Sequence, residues 1–434
     1  MTVTRGQPSR RMTAHETPLK HGRRPTQSPV ATAAKIFLAC IVVLAVSSTS
    51  VAAIAVWQTV GRIKPGIQLA QLPGSTAAAI PSVGAIDGEV NLLLVGTDTR
   101  TNQGTGFTDS ANQNASSGVG NNDVTMLLHV SADHTNATVI SIPRDLMVPV
   151  PECPDPSGKG TVDATDLAMF NTTLSRGGLS CTVLTVEKMT GLSIPYAAVI
   201  SFDGVIAMSN AVGGVSVCLA TPVTDAYTGL DLAAGEQTLV GDEALAFVRS
   251  RHGVGDGSDL GRISNQQVFL SSLMRKITSA GVLANPISLY SLANAALSNM
   301  QFSTTLTDPT ALVSIALALK NVSLSSLVFV QYPAVTDPDD VNRVIPDATA
   351  AKLLNTALQQ NKPITLTGKT GIAAEADPSA AATATPAATG TPTPTPTETG
   401  AATPTPTPTS TSVSLPTNVS GQTAAEQTCT VGNN

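Results

Sequence analysis

Apolar residues along this chain recur in short runs separated by turn residues. "VNLLLVG" (90–96), "DVTMLLHV" (123–130) and "ATVISIP" (137–143) are rich in branched apolar side chains and are bounded by turn formers, the pattern of buried strands. "YAAVISF" (196–202) and "SSLVFVQYP" (325–333) predict two more. Helical spacing marks "TVLTVEKMTG" (182–191), "DGVIAMSNAVGG" (203–214), "DEALAFV" (242–248) and "RISNQQVFLSSLMRKI" (262–277), the first two ending on glycine. Strands and helices interleave. This predicts an α/β fold, a layered α-β-α domain with a central mixed sheet, over residues 89–361.

The flanks break that pattern. Ile36–Trp57 carries no charge, and about 20 apolar residues suffice to cross a bilayer core. Residues 1–35 hold seven Lys or Arg against one acid, Glu16. The positive-inside rule then predicts a basic cytoplasmic tail (1–35), a transmembrane helix (36–57), a stalk (58–88) and an extracytoplasmic catalytic domain (89–361). The protein is expected in the cell membrane, single-pass, with its N-terminus cytoplasmic. A cleaved signal peptide is the alternative, disfavoured by the long basic tail and the full-length apolar run. Beyond 361 the composition collapses toward Ala, Thr and Pro, with "TPTPTPTETGAATPTPTPTSTS" at 391–412. Residues 362–434 are therefore expected to be a disordered low-complexity tail, with "QTAAEQTCTVGNN" at its end able to dock back through Cys429.

Composition narrows the class. The 434 residues are 42% hydrophobic but only 3% aromatic and 12% charged, with a net charge of −6. A core of Ala, Val, Leu and Ile follows. Nucleic acid is not an expected partner, since its binding needs a basic face. Four cysteines lie outside the predicted span, in a compartment that permits disulfides. Of the three possible pairings, Cys153 with Cys181 is favoured, and Cys218 with Cys429 comes second.

Polar residues collect where strands end, the usual place for a site in an α/β sheet. "VGTDTR" supplies Asp98 and Arg100, "NND" supplies Asp123, and "SIPRD" supplies Arg144 and Asp145. Asp98 and Asp123 could share magnesium, which takes one or two carboxylates and grips substrate phosphates. Turn-capping aspartates are the competing reading. "RSRHGVGDGSDLGR" (249–262) gathers Arg249, Arg251 and Arg262 around four glycines, with Gln266 one helical turn beyond Arg262. Guanidinium forks bind phosphate oxygens bidentately, and glycines let backbone approach an anion. A solvated loop with internal Arg–Asp pairs is the alternative, but with Arg144 at a neighbouring strand end a pyrophosphate clamp is the better fit.

Other chemistries fall away. No Gly-x-Ser-x-Gly elbow occurs, and "GKT" (368–370) lacks the earlier glycine of a P-loop, position 363 being proline. The five histidines are scattered, and His129, inside an apolar strand, reads as a core residue.

In this order, "LLVGTDTR", "NNDVTMLLHV", "ISIPRDLMVPVP", "FNTTLSRGG", "VEKMTGLSI", "AVGGVSV" and "LVGDEALAFVRSRHGVGDGSDLGRISNQQ" resemble the LytR-CpsA-Psr family of cell-wall glycopolymer ligases, over about residues 88–280. The Thr-Pro tract and Ala-rich composition look actinobacterial. The resemblance implies a magnesium-dependent phosphotransferase. It would move a glycan-1-phosphate from a polyprenyl-pyrophosphate carrier to a muramic acid hydroxyl of peptidoglycan. It implies Asp98 and Asp123 as metal ligands. Arg144, Arg249, Arg251 and Arg262 would bind pyrophosphate, with Gln266 beside them, and the polyprenyl chain would lie in an aliphatic tunnel between sheet and helices. Arg100 belongs with these arginines by its place after the first strand. Arg144 and its neighbour Asp145 are the catalytic candidates, Asp145 either as a base or as the group that orients Arg144. Three departures stand out: Met169-Phe170-Asn171 where lysine is usual, Asn265 where arginine is usual, and the Gly/Asn/Ser-rich insertion 101–122.

A polyprenyl pyrophosphatase would use the same residues. A non-catalytic lipid- or wall-binding module would have no need of the two carboxylates. A transcriptional regulator is excluded by the short N-terminal tail and the acidic remainder.

Overall fold

The computed structural model describes residues 65–72, 86–104, 107, 109–279, 292, 295–378 and 411–433. The predicted transmembrane span and the Thr-Pro tract at 391–410 lie outside the described residues. Among the described residues no helix is long and apolar enough to cross a membrane.

The strands used below are β1 (Val90–Thr97), β2 (Asn122–Val130), β3 (Ala137–Ile142), β4 (Tyr196–Ile200), β5 (Val215–Leu219), β6 (Gly235–Leu239), β7 (Met300–Phe302), β8 (Leu327–Gln331), β9 (Ala374–Ala376), β10 (Gly421–Thr423) and β11 (Thr428–Thr430). The helices are α1 (Ser110–Ala115), α2 (Thr173–Thr190), α3 (Phe202–Ala211), α4 (Asp242–Arg249), α5 (Asp259–Ser279), α6 (Pro309–Leu319) and α7 (Ala348–Gln359).

A seven-stranded mixed sheet runs in the order β7-β4-β1-β2-β3-β8-β10. β1 is parallel to β4 and antiparallel to β2, and β3 is antiparallel to β2 and parallel to β8. Side chains alternate across a strand. Leu93, Val95 and Leu127 therefore enter one apolar cluster with α2 and α7, while Leu92, Leu94 and Leu128 pack on the other face near α5 and α6. Burial of both faces explains why β1 reads as an unbroken apolar run rather than an alternating one. A second, four-stranded sheet, β6-β5-β11-β9, packs against α5.

Both disulfides form, Cys153–Cys181 and Cys218–Cys429. The first explains a kink that helix spacing did not predict. α2 begins at Thr173 but leaves helical geometry at Gly177 and Gly178. A Cβ at Gly177 would lie 2.7 Å from the Cβ atoms of both Cys153 and Cys181, so the helix passes the bridge only where a side chain is missing.

The expected boundary at 361 is corrected. Residues 363–378 and 411–433 are built into the fold rather than forming a tail. β10 extends the central sheet beside β8, β11 pairs with β5, and Leu415 and Val419 are core residues. Strands of two or three residues are too short to show a period, which is why sequence spacing misses them.

Candidate active site

Because β2 runs antiparallel to β1 and β3, the end of β1, the start of β2 and the end of β3 meet at one end of the central strands. Asp98, Asp123 and Arg144 sit there, and all three line a cavity of about 590 Å³. Its inner wall is aliphatic, with Leu94 and Ile200 from the sheet facing Val205 and Met208 of α3 and Leu270 and Leu273 of α5. Its mouth carries Arg100, Arg249, Arg251, Arg262 and Gln266. Seven residues from three stretches of sequence, 98–100, 123 and 249–266, thus share a wall with Arg144, and a charged mouth opens onto an apolar interior.

The arginines divide into two kinds. Arg144 Nη1 donates to Asp123 Oδ2 and Oδ1 at 3.0 and 3.2 Å, and its Nε lies 3.5 Å from Asp145 and 3.4 Å from Asp259. Burial works against this charge, but Asp123, Asp259 and Asp145 together outweigh it and hold the guanidinium above its ordinary pKa. Arg262 is buried, forms an ion pair with Asp259 at 2.6 Å, donates to the Asp123 carbonyl at 2.5 Å, and lies 3.6 Å from the Asp123 carboxylate. These two arginines are neutralised by protein carboxylates.

Arg249 and Arg251 are different. Neither has a carboxylate within ion-pair distance among the described residues. Arg249 ends α4 and lies over the rings of Phe202 and Phe107, 4.3 and 5.4 Å from their centroids. Burial, then the charge of Arg100, push its pKa down. The Nε of Arg251 is buried without a hydrogen-bond partner. Arg100 donates to the Asn112 side chain at 2.5 Å, on the insertion that α1 folds over this end of the strands. A half-buried cation that its own protein leaves unpaired is stabilised by an anion brought from outside.

Asp225 holds the arginine turn in place. This buried carboxylate accepts from Ser250 Oγ at 2.8 Å, from the Arg251 N–H at 3.1 Å and from the Gly253 N–H at 3.2 Å. Gly253 is obligatory there, since a Cβ would lie 2.7 Å from the Thr224 carbonyl. The C-terminal segment clasps the same turn: Gly255 N–H donates to the Val431 carbonyl and Asn433 N–H to the Gly253 carbonyl, at 2.9 and 3.0 Å. Neither Asp225 nor Asp259 as an ion-pair centre was singled out in sequence, because an aspartate at a turn or helix start looks the same whatever it holds.

Of the two roles expected for Asp145, the geometry favours orientation of Arg144. Asp145 does not line the cavity. It sits behind Arg144, between that guanidinium and Arg343, where it orients Arg144 and is not placed to take a proton from a substrate. Gln266 lines the cavity, but one amide hydrogen is committed to the Val248 carbonyl at 2.9 Å, securing the end of α4. Asn265 is fully buried and bonds the Phe247 carbonyl and Thr430 Oγ1, so no room exists for the arginine usual at that position.

Asp98 Oδ1 accepts from Ser116 Oγ and the Asn121 N–H, at 2.8 and 2.7 Å, and no hydrogen bond reaches its Oδ2 among the described residues. Gly120, at φ +70°, lets the chain pass close: a Cβ there would lie 2.6 Å from Asp98 Oδ1. Two hard-oxygen donors at one mouth suit an ion that leaves the rest of its coordination to water and phosphate. His129 is a core residue, as expected: it is buried and its Nδ1 lies 2.7 Å from Asn91 Oδ1.

The family model described as the LytR_cpsA_psr family matches residues 68–362. The chain belongs to this family. Among its relatives, the "cell wall biosynthesis protein LcpA" of Corynebacterium glutamicum is 31% identical over 270 residues, 58% of this chain and 51% of that protein. The "probable cell wall biosynthesis protein LcpB" of the same organism is 36% identical over 206 residues, 48% of this chain and 46% of that one. The "polyisoprenyl-teichoic acid--peptidoglycan teichoic acid transferase TagV" of Bacillus subtilis is 28% identical over 252 residues, 56% of this chain and 61% of that one. The chain thus spans about half the length of its two Corynebacterium relatives. Among solved structures it is similar to a "LytR-Csp2A-Psr enzyme from Actinomyces oris", at 24% identity and a TM-score of 0.47, covering 67% of this chain and 96% of that one. The family match takes in the whole wall of the cavity but stops short of the C-terminal clasp on the arginine turn.

Proposed function

We propose that this LytR-CpsA-Psr protein is a membrane-anchored transferase that moves a glycan-1-phosphate from a polyprenyl-pyrophosphate carrier to a muramic acid hydroxyl of peptidoglycan. The observation that carries this reading is the pairing of Arg249 and Arg251, both without a carboxylate partner among the described residues, with an aliphatic pocket directly behind them. A ligand that satisfies both has a polyanionic head and a long apolar tail. The names borne by LcpA and TagV, a cell wall biosynthesis protein and a polyisoprenyl-teichoic acid–peptidoglycan transferase, point the same way.

Arg249 and Arg251 bind phosphoryl oxygens and, with Arg100, neutralise the charge that grows on the leaving phosphate. Asp259 and Asp145 fix the Arg144 fork, which in turn holds Asp123. The acceptor hydroxyl oxygen bonds to the sugar-bearing phosphorus as the bond from that phosphorus to the bridging oxygen breaks; polyprenyl phosphate departs with the bridging oxygen, and the hydroxyl proton passes to that leaving phosphate. Asp98 and Asp123 are the residues that would hold magnesium, which when bound supplies Lewis-acid neutralisation of phosphoryl charge. The aliphatic wall excludes water from the lipid side, and orientation of donor and acceptor supplies much of the remaining acceleration.

The test is transfer by the full chain in detergent micelles, given a polyprenyl-pyrophosphate glycan, peptidoglycan oligomers and magnesium. Glycan becomes covalently attached to peptidoglycan, and attachment is lost with Arg251→Ala and with Asp123→Ala. Release of polyprenyl phosphate without attachment, acceptor being present, would mean hydrolysis instead.

A further inference from the structure

The turn between the short strands Val223–Asp225 and Leu230–Leu232 sets Tyr227 on the cavity wall with 79% of its surface exposed. Of the large apolar side chains exposed among the described residues, it is the one that lines the cavity. Its ring lies against the imidazole of His252, with centroids 4.3 Å apart, and His252 lines the same cavity. Asp225 ties this ring pair to the arginine turn. Its Oδ1 accepts the Tyr227 N–H at 3.0 Å while its Oδ2 accepts those of Arg251 and Gly253. Asn433 Nδ2 donates to the His252 carbonyl at 3.0 Å, holding the other ring. The backbone that carries an exposed ring is thus tied, through one buried carboxylate, to that of an arginine whose guanidinium has no carboxylate partner among the described residues.

We propose that Tyr227, backed by His252, is a stacking platform for the pyranose ring that the donor's pyrophosphate carries. This rests on the pyrophosphate reading of Arg249 and Arg251. In such a donor the first sugar is bonded through its anomeric oxygen directly to phosphate. With the lipid running inward along the aliphatic wall, that sugar lies just outside the arginines, at the mouth. A pyranose presents a face of C–H groups, apolar and slightly positive, which matches the negative face of an aromatic ring. An acceptor sugar has the same face, so the experiment separates the two sources.

The full chain is titrated, without acceptor, with a polyprenyl diphosphate bearing no sugar and with the same lipid bearing one N-acetylhexosamine. Tyr227→Ala lowers affinity for the sugar-bearing lipid about tenfold and leaves the bare lipid unchanged, and Tyr227→Phe restores wild-type binding. Arg251→Ala weakens both lipids, the mark of the pyrophosphate contact itself. Melting curves check folding, which substitution of so exposed a ring leaves intact. An equal loss for both lipids, or none, overturns the proposal. So does normal donor binding with a raised KM for peptidoglycan fragments, which would assign the ring to the acceptor. A wild-type chain that binds neither lipid overturns the pyrophosphate reading, and this one with it.

Discussion

Arg144 and Asp123 face each other across the mouth of the cavity, one guanidinium nitrogen reaching both carboxylate oxygens at 3.0 and 3.2 Å. The pair is not a free anion receptor. Asp259 and Asp145 crowd the other side of the same guanidinium, so Arg144 anchors three carboxylates at once. Arg144→Ala leaves them mutually repelling. Thermal unfolding should show a loss of about 2–4 kcal/mol, and transfer should fall at least about a hundredfold. Arg144→Lys keeps the charge but not the fork, so it should recover most of the stability and little of the activity.

Asp225→Asn tests what holds the arginine turn. The amide cannot accept all of the hydrogen bonds that converge on the carboxylate, and one of its donors must face another. We expect about 1–3 kcal/mol lost from folding, and weaker pyrophosphate binding with a smaller change in the rate of bound substrate. A KM-against-kcat comparison reads that split.

The C-terminal clasp joins Cys429 to Cys218 across 211 residues of sequence. Chain entropy over so long a loop assigns the bridge about 5 kcal/mol. Cys218→Ser with Cys429→Ser should therefore lower the melting temperature. It should also weaken pyrophosphate binding, because Val431 and Asn433 bond the glycine-rich turn. Lipid titration at a temperature where the variant is fully folded separates the two effects.

Asn265→Arg would install the residue usual at that position. Here it should destabilise rather than improve the enzyme, by about 3 kcal/mol or more, because the site is fully enclosed and its two hydrogen bonds are spent on Phe247 and Thr430.

Burial holds the His129 imidazole below its ordinary pKa of 6.5, against a weaker opposing pull from Glu89. Below about pH 6.5 the unfolded chain takes up a proton that the folded chain refuses. Stability from this residue is complete above that pH and falls as the pH drops, by at most about 1.4 kcal/mol per unit. His129→Gln can still donate to Asn91, and denaturant titrations across pH 5–8 should show a flatter profile for it.

The elements that build the site were legible because each is long and strongly patterned: β1, β2 and β3 as apolar runs, α4 and α5 by helical spacing. The arginines stood out because the chain has so few charges. What spacing could not show was partnership. It grouped Arg144, Arg249, Arg251 and Arg262 as one clamp, whereas three-dimensional packing gives carboxylates to Arg144 and Arg262 and, among the described residues, none to Arg249 and Arg251. Nor could it show that a segment beyond the Thr-Pro tract returns to the fold, since its strands are too short to have a period and only Cys429 hinted at the docking.

The most direct measurement is binding of a polyprenyl diphosphate to the full chain and to Arg249→Ala with Arg251→Ala. These two arginines, which have no carboxylate partner among the described residues, should account for a loss of affinity on the order of a hundredfold, with little change in melting temperature, since no ion pair among those residues is broken. Undiminished binding in the double variant would show that the pyrophosphate is held elsewhere and would contradict the account.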